Sequence, residues 1–66
     1  MTKDSVLRSD DTSLLYQVVE IAHWSTIKNV SNPNDIDHVK WYGSNSAGKP
    51  AYVSNSTGRS FVLLKE

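Results

Sequence analysis

The sequence predicts an all-β protein, a small five-stranded antiparallel barrel or sandwich, and three observations support that class. The apolar runs are short and rich in Val, Ile, Tyr, Trp and Phe, the side chains that suit a half-buried pleated surface. Clusters of Asn, Ser, Asp, Gly and Pro recur between them at the spacing of turns. The chain has 66 residues, enough for one domain with a thin core.

Taken in order, Met1–Ser5 is polar and is expected to fray. Val6-Leu7-Arg8 reads as a short first strand, and Ser9–Ser13 (SDDTS) is dense in turn and capping residues. Leu14–Trp24 (LLYQVVEIAHW) is the longest apolar run, and the later pieces read as strands laid against it. Two periods compete within it. At 3.6 residues per turn, Leu14, Leu15, Val18, Ile21, Ala22 and Ser25 form one stripe, with Asp10–Ser13 placed as an N-cap. At a period of two, Tyr16 and Val18 share a face, and Ile21 rejoins them only across a bulge near Val19–Glu20. Composition favours the strand, because β-branched and aromatic side chains lose χ1 freedom in a helix. The alternative is an α+β chain, one helix at 13–24 on a three-stranded antiparallel sheet, with Leu14, Val18, Ile21 and Ala22 buried.

Lys28–Asp37 (KNVSNPNDID) is loop by composition, with a turn at Asn32–Asp35. In His38–Ser44, Val39, Trp41 and Gly43 point one way, and Lys40 and Tyr42 the other. Asn45–Lys49 is a tight turn with Gly48 available for a positive φ. Pro50 permits only the start of a strand, so Ala51-Tyr52-Val53 follows as the strand proper. Asn55–Arg59 turns around Gly58, and Ser60–Glu66 closes the chain. The long run at Leu14–Ala22 is expected to pair with His38–Ser44. Tyr16, Val18, Ile21, Val39, Trp41, Val53, Phe61 and Leu63 are expected to form the core.

This order of short strand, polar turn, long strand, loop, aromatic strand and two tight hairpins resembles the SH3-like barrels, and within them the Tudor-like group. Leu14–Ile21, Val39–Gly43 and the terminal FVLLKE carry the resemblance. It implies a five-stranded antiparallel barrel and a non-enzymatic module that acts by binding another macromolecule. The complete aromatic cage of Tudor domains is not reproduced, and the Lys28–Asp37 loop is longer than many such barrels carry. In its length and its Asn/Ser-rich turns the chain also looks like the small accessory proteins of phages, prophages and plasmids.

Composition narrows the function. Net charge is zero, which argues against a strongly electrostatic hold on nucleic acid. Met1–Asp37 holds three basic and six acidic residues, and His38–Glu66 four basic and one acidic. Interleaved strands are expected to cancel that asymmetry. There is no cysteine, hence neither a disulfide nor a thiolate metal site, which fits a cytoplasmic setting. No run is apolar enough to span a bilayer, and Met1–Ser5 lacks the apolar centre of a signal peptide.

Residues able to carry chemistry do not form a known pattern. His23 and His38 with Asp35 and Asp37 are the only set resembling a metal site, but Asp37 and His38 are adjacent and point to opposite faces of a strand. Serine and threonine total fourteen, without a nucleophile elbow or a phosphate loop around them. No catalytic residue, metal or cofactor is therefore assigned. The six aromatics say more. Tyr42 shares an outward face with Lys40, and the barrel analogy adds Trp24 and Arg59, so Lys40, Tyr42, Trp24 and Arg59 are the expected partner-binding residues. A protein is the expected partner. A nucleic-acid module using Lys40, Tyr42, Lys49 and Arg59 is the first rival, and a self-assembling structural subunit or homo-oligomer the second.

Overall fold

The computed structural model describes residues 1–65. Six strands follow in chain order: β1 (Val6–Ser9), β2 (Leu15–Glu20), β3 (Ser25–Asn29), β4 (Ile36–Ser44), β5 (Pro50–Ser54) and β6 (Ser60–Lys65). Each pairs antiparallel with the next, and β6 returns to β1, so the sheet closes into a barrel. There is no helix among the described residues, so the expected all-β class holds and the helix at 13–24 does not. Glu66, part of the predicted last strand, lies outside the described residues.

The strand count is corrected from five to six by β3. Its inward positions are Ser25, Ile27 and Asn29, all buried, and two of the three are polar. Apolar alternation therefore fails there: by sequence the long run ends at Trp24, Ser25–Ile27 are unassigned, and Lys28 and Asn29 belong to the following loop. The expected partner of β2 is corrected as well. β2 pairs with β1 and β3, in the register Tyr16↔Asn29 and Val18↔Ile27, while β4 pairs with β3 and β5. The short turn after Glu20 returns the chain immediately, and strands joined by a short turn pair with one another before more distant ones. A register shift between Val18 and Glu20 marks the bulge that the period-of-two reading required.

The core consists of Leu7, Tyr16, Val18, Ile27, Val39, Tyr52 and Phe61, with Met1 and Leu63 packed against it. Tyr16 and Phe61 meet edge to face, their ring centroids 5.2 Å apart. Tyr16, Val18, Val39 and Phe61 are buried as expected; Val53 and Leu63 are half-buried. Two core assignments are corrected. Ile21 is 52% exposed because β2 ends at Glu20 and Ile21 begins the turn. Trp41 is 65% exposed although it pairs in register with Tyr52, which is buried in the core; the ladder slips just beyond it, between Trp41 and Gly43.

Two segments are more ordered than their composition implied. β4 begins at Ile36, which shortens the loop, and Asn29 N–H donates to the Asp35 carbonyl at 2.9 Å across its base. Ahead of β1, Asp4 N–H donates to the Val18 carbonyl and Val18 N–H to the Ser5 carbonyl, both at 2.9 Å, and Ser5 is fully buried.

Candidate functional site

Strand direction alternates around the barrel, so the loops sort by parity. The β1–β2, β3–β4 and β5–β6 connections gather at one end, the polar end. The β2–β3 and β4–β5 turns and the segment before β1 lie at the other, the aromatic end.

At the aromatic end Ser25↔Val39 pairs β3 with β4, so Trp24 and Lys40, one step on along each strand, share the outer face. The Lys40 Nζ stands 5.0 Å from the Trp24 ring centroid, and His23 meets the same indole edge-on at 6.1 Å. Such a cation–π contact contributes about 0.5–1 kcal/mol at an exposed site. Two of the expected partner-binding residues are thus brought together. Tyr42, the third, is 75% exposed and lies with Trp41 at the slip in the ladder. Gly43 follows with φ 142, a backbone conformation suited to glycine, although a Cβ there would meet nothing within 4 Å. Trp41 is the surface residue that sequence reasoning missed. Alternation placed it inward, and the one available signal was the adjacent Trp41-Tyr42-Gly43 before a turn, where a bulge is at home.

Arg59, the fourth expected residue, is at the polar end. Its Nη1 donates to the Tyr16 hydroxyl at 3.4 Å and its Nε lies 3.8 Å from Asp11 Oδ1. The Tyr16 hydroxyl donates to Asp35 Oδ2 at 2.5 Å, and Asn29 Nδ2 donates to the same oxygen at 3.1 Å. Ser9 Oγ donates to Asp11 Oδ1 at 2.6 Å. These bonds join all three connections at that end.

The network perturbs its members in ways that follow from the bonds. The Tyr16 and Asn29 donors hold the Asp35 carboxyl below its ordinary value, and the Ser9 hydroxyl does the same for Asp11. Burial, then the Asp35 hydrogen bond and charge, push the Tyr16 phenol up. The signs differ. Carboxyls depressed in the folded state contribute stability above their unfolded value, near 3.8, and lose it as pH falls through the folded value. A phenol raised in the folded state contributes fully below its unfolded value of 10.0, and that contribution is lost as pH rises through the folded value. The melting temperature is therefore expected to fall on both sides, below about pH 4 and above about pH 10. Asp35→Asn should flatten the acid limb; an unchanged acid limb in that variant would remove Asp35 from the account.

Asp37 is buried beside this end. Its Oδ1 accepts from Ser54 Oγ and from the His38 N–H, each at 2.8 Å, and from Ser56 Oγ at 3.4 Å. The Ser54 hydroxyl reaches the carboxylate directly, with no imidazole between, and His38 is exposed on the outer face. This is the geometry of an anchor for the β5–β6 turn. Among the described residues no three His, Cys, Asp or Glu side chains converge on a metal-sized site, and no pocket opens in the surface. Among the described residues no helix is long and apolar enough to cross a membrane. Compared with protein-family models, curated proteins and solved structures, the chain matches none.

Proposed function

We propose that this chain is a non-enzymatic interaction module, a barrel of SH3-like and Tudor-like type, that binds a protein partner through Trp41, Tyr42, Lys40 and Trp24. The observation that carries the reading is the pair of adjacent aromatic rings, Trp41 and Tyr42, held largely in solvent by an otherwise closed barrel. Large aromatics left in water lose free energy until they are covered, and Trp and Tyr dominate the residues whose truncation weakens protein complexes. Protein is favoured over nucleic acid on two grounds. The set Lys40, Tyr42, Lys49 and Arg59 is split between the two ends, with Arg59 engaged by Asp11 and Tyr16. Lys40 already lies over Trp24, so neither ring face nor charge is fully available for a stacked base or a phosphate.

The test compares capture of partner proteins from cells that carry the gene by the parent chain and by Lys40→Glu/Tyr42→Ala. The double variant is expected to lose the partner while melting within a few degrees of the parent, because both side chains are exposed. Arg59→Ala should leave capture intact. A partner retained by the double variant moves the site elsewhere, and a partner that is nucleic acid, released steeply by salt, replaces the reading with its rival.

A further inference from the structure

We propose that the protein partner presents an acidic, extended segment, which lies along the outer face of β3 and β4 and sets its carboxylates against Lys28 and Lys40. The inference rests on the protein-binding reading above and adds the chemistry of the partner.

The formal charge of zero conceals how the two signs are used. Asp4 accepts from Gln17 Nε2 at 3.2 Å, Asp11 from Ser9, Asp35 from Tyr16 and Asn29, and the buried Asp37 from Ser54 and the His38 N–H. Among the described residues that leaves Asp10 and Glu20 as the acids without such a bond. The bases are used differently. Arg59 is the one basic side chain in an ion pair among the described residues, and Lys40 rests on the Trp24 ring.

Register then gathers free bases on one face. In β3 the buried Ser25, Ile27 and Asn29 leave Thr26 and Lys28 outward; in β4 the buried Asp37 and Val39 leave Ile36, His38 and Lys40 outward. The pairs Lys28↔Ile36 and Thr26↔His38 set these side by side, and Val53 of β5 stands opposite Lys40. No outward position on β3, β4 or β5 is acidic. Glu20 borders the face, opposite Thr26, and Asp35, though next to Ile36, turns onto Tyr16 and Asn29. Strand interleaving, expected to cancel the charge asymmetry, does not cancel it here.

The face also has apolar ground at each end, Ile36 at one and Trp41 with Tyr42 at the other, all exposed. Lys28 stands across from Ile36, and Lys40 lies four residues further along β4, so the two bases are carried about 13 Å apart at about 3.3 Å per residue. Carboxylates four residues apart in an extended segment share one side and the same spacing. The Trp24 ring fixes the Lys40 ammonium without taking its N–H donors. A carboxylate needs only that charge, whereas a nucleotide would also need the ring face that Lys40 covers. The sheet is closed and has no free edge, so the segment gains no ladder and side chains carry the recognition. The remaining aliphatic surface is edged by a base as well, Arg8 opposite Leu15, so a second copy of this chain offers no complement.

Selection of a random-peptide display library on the folded chain tests this chemistry. The selected peptides are expected to be rich in Asp and Glu, with acids four positions apart and apolar side chains outside them. Lys28→Glu/Lys40→Glu is expected to weaken them about tenfold or more, because two attractions become two repulsions. The same peptides with each acid replaced by Lys are expected to bind this variant better than the parent. Lys40 is exposed and Lys28 half-buried, so circular dichroism melts check folding, and Lys28→Gln/Lys40→Gln supplies a milder second variant that should also weaken binding. Lys3→Glu, outside this face, should change binding less than about twofold. Selected peptides without an excess of acid overturn the proposal, as does equal binding by the charge-reversed variant. A single-stranded oligonucleotide held more tightly than any selected peptide overturns it in favour of nucleic acid. If the selected peptides are free of acid but are lost on Trp41→Ala/Tyr42→Ala, the protein-binding reading stands and only the acidic segment falls. The same holds if no peptide is selected while the parent still captures a protein through Tyr42 and Lys40.

Discussion

Phe61→Ala is expected to leave little folded protein at room temperature, whereas Trp41→Ala is expected to melt within a few degrees of the parent. Phe61 is fully buried, packs edge-on against Tyr16 and stands opposite Ser9 on β1 and Tyr52 on β5. Truncating a buried Phe costs about 3–5 kcal/mol, from lost transfer free energy and the cavity left behind. At about 0.05–0.15 kcal/mol per residue, a 66-residue domain has roughly 3–10 kcal/mol in all, so this one change removes a large share of it. Trp41 leaves no comparable cavity because most of its ring already faces water. Thermal and urea melts followed by circular dichroism separate the two variants. Cooperative unfolding of Phe61→Ala near the parent midpoint would contradict the core assignment, and an unfolded Trp41→Ala would return that residue to the core.

The second large effect is expected at Asp37. Asp37→Ala removes the acceptor for the Ser54 and Ser56 hydroxyls and the His38 N–H together. Hydrogen bonds to a charged group contribute about 1.5–3 kcal/mol each, and a buried donor left without an acceptor adds to the loss. A destabilisation of about 3 kcal/mol is expected. Ser54 Oγ also accepts from the Ser56 and Thr57 N–H groups, so the β5–β6 turn loses its side-chain tie to β4 along with the carboxylate and keeps the backbone bond from the Asn55 N–H to the His38 carbonyl. Ser54→Ala should cost less, and the double variant should fall short of the sum, because both substitutions remove the same bond. A loss from Asp37→Ala under about 0.5 kcal/mol, the usual range for a surface change, would show the carboxylate to be dispensable.

By itself the sequence determined the β class and most strand positions, because side-chain shape and turn chemistry act within a few residues. The β-branched and aromatic content of Leu15–Glu20 favoured a strand over a helix there, and Asn45–Lys49 and Asn55–Arg59 are the turns that Gly48 and Gly58, both at positive φ, make available. Alternation also placed Val39 inward and Lys40 outward. Tertiary structure alone decided the rest. β3 was hidden because its inward Ser25 and Asn29 are satisfied by groups off the strand, the Ala22 backbone and the Asp35 carboxylate. Without β3 nothing in the sequence could set Trp24 beside Lys40, although both were expected at the site. Trp41 is largely in solvent beside a slip in the β4–β5 ladder, a feature of register between strands. Arg59 lies at the opposite end because the β5–β6 turn does, and there it meets Asp11 and Tyr16, partners more than forty residues away along the chain. Local propensity is written in neighbouring side chains; strand register and loop parity arise only when the sheet closes, and these two placed the candidate site.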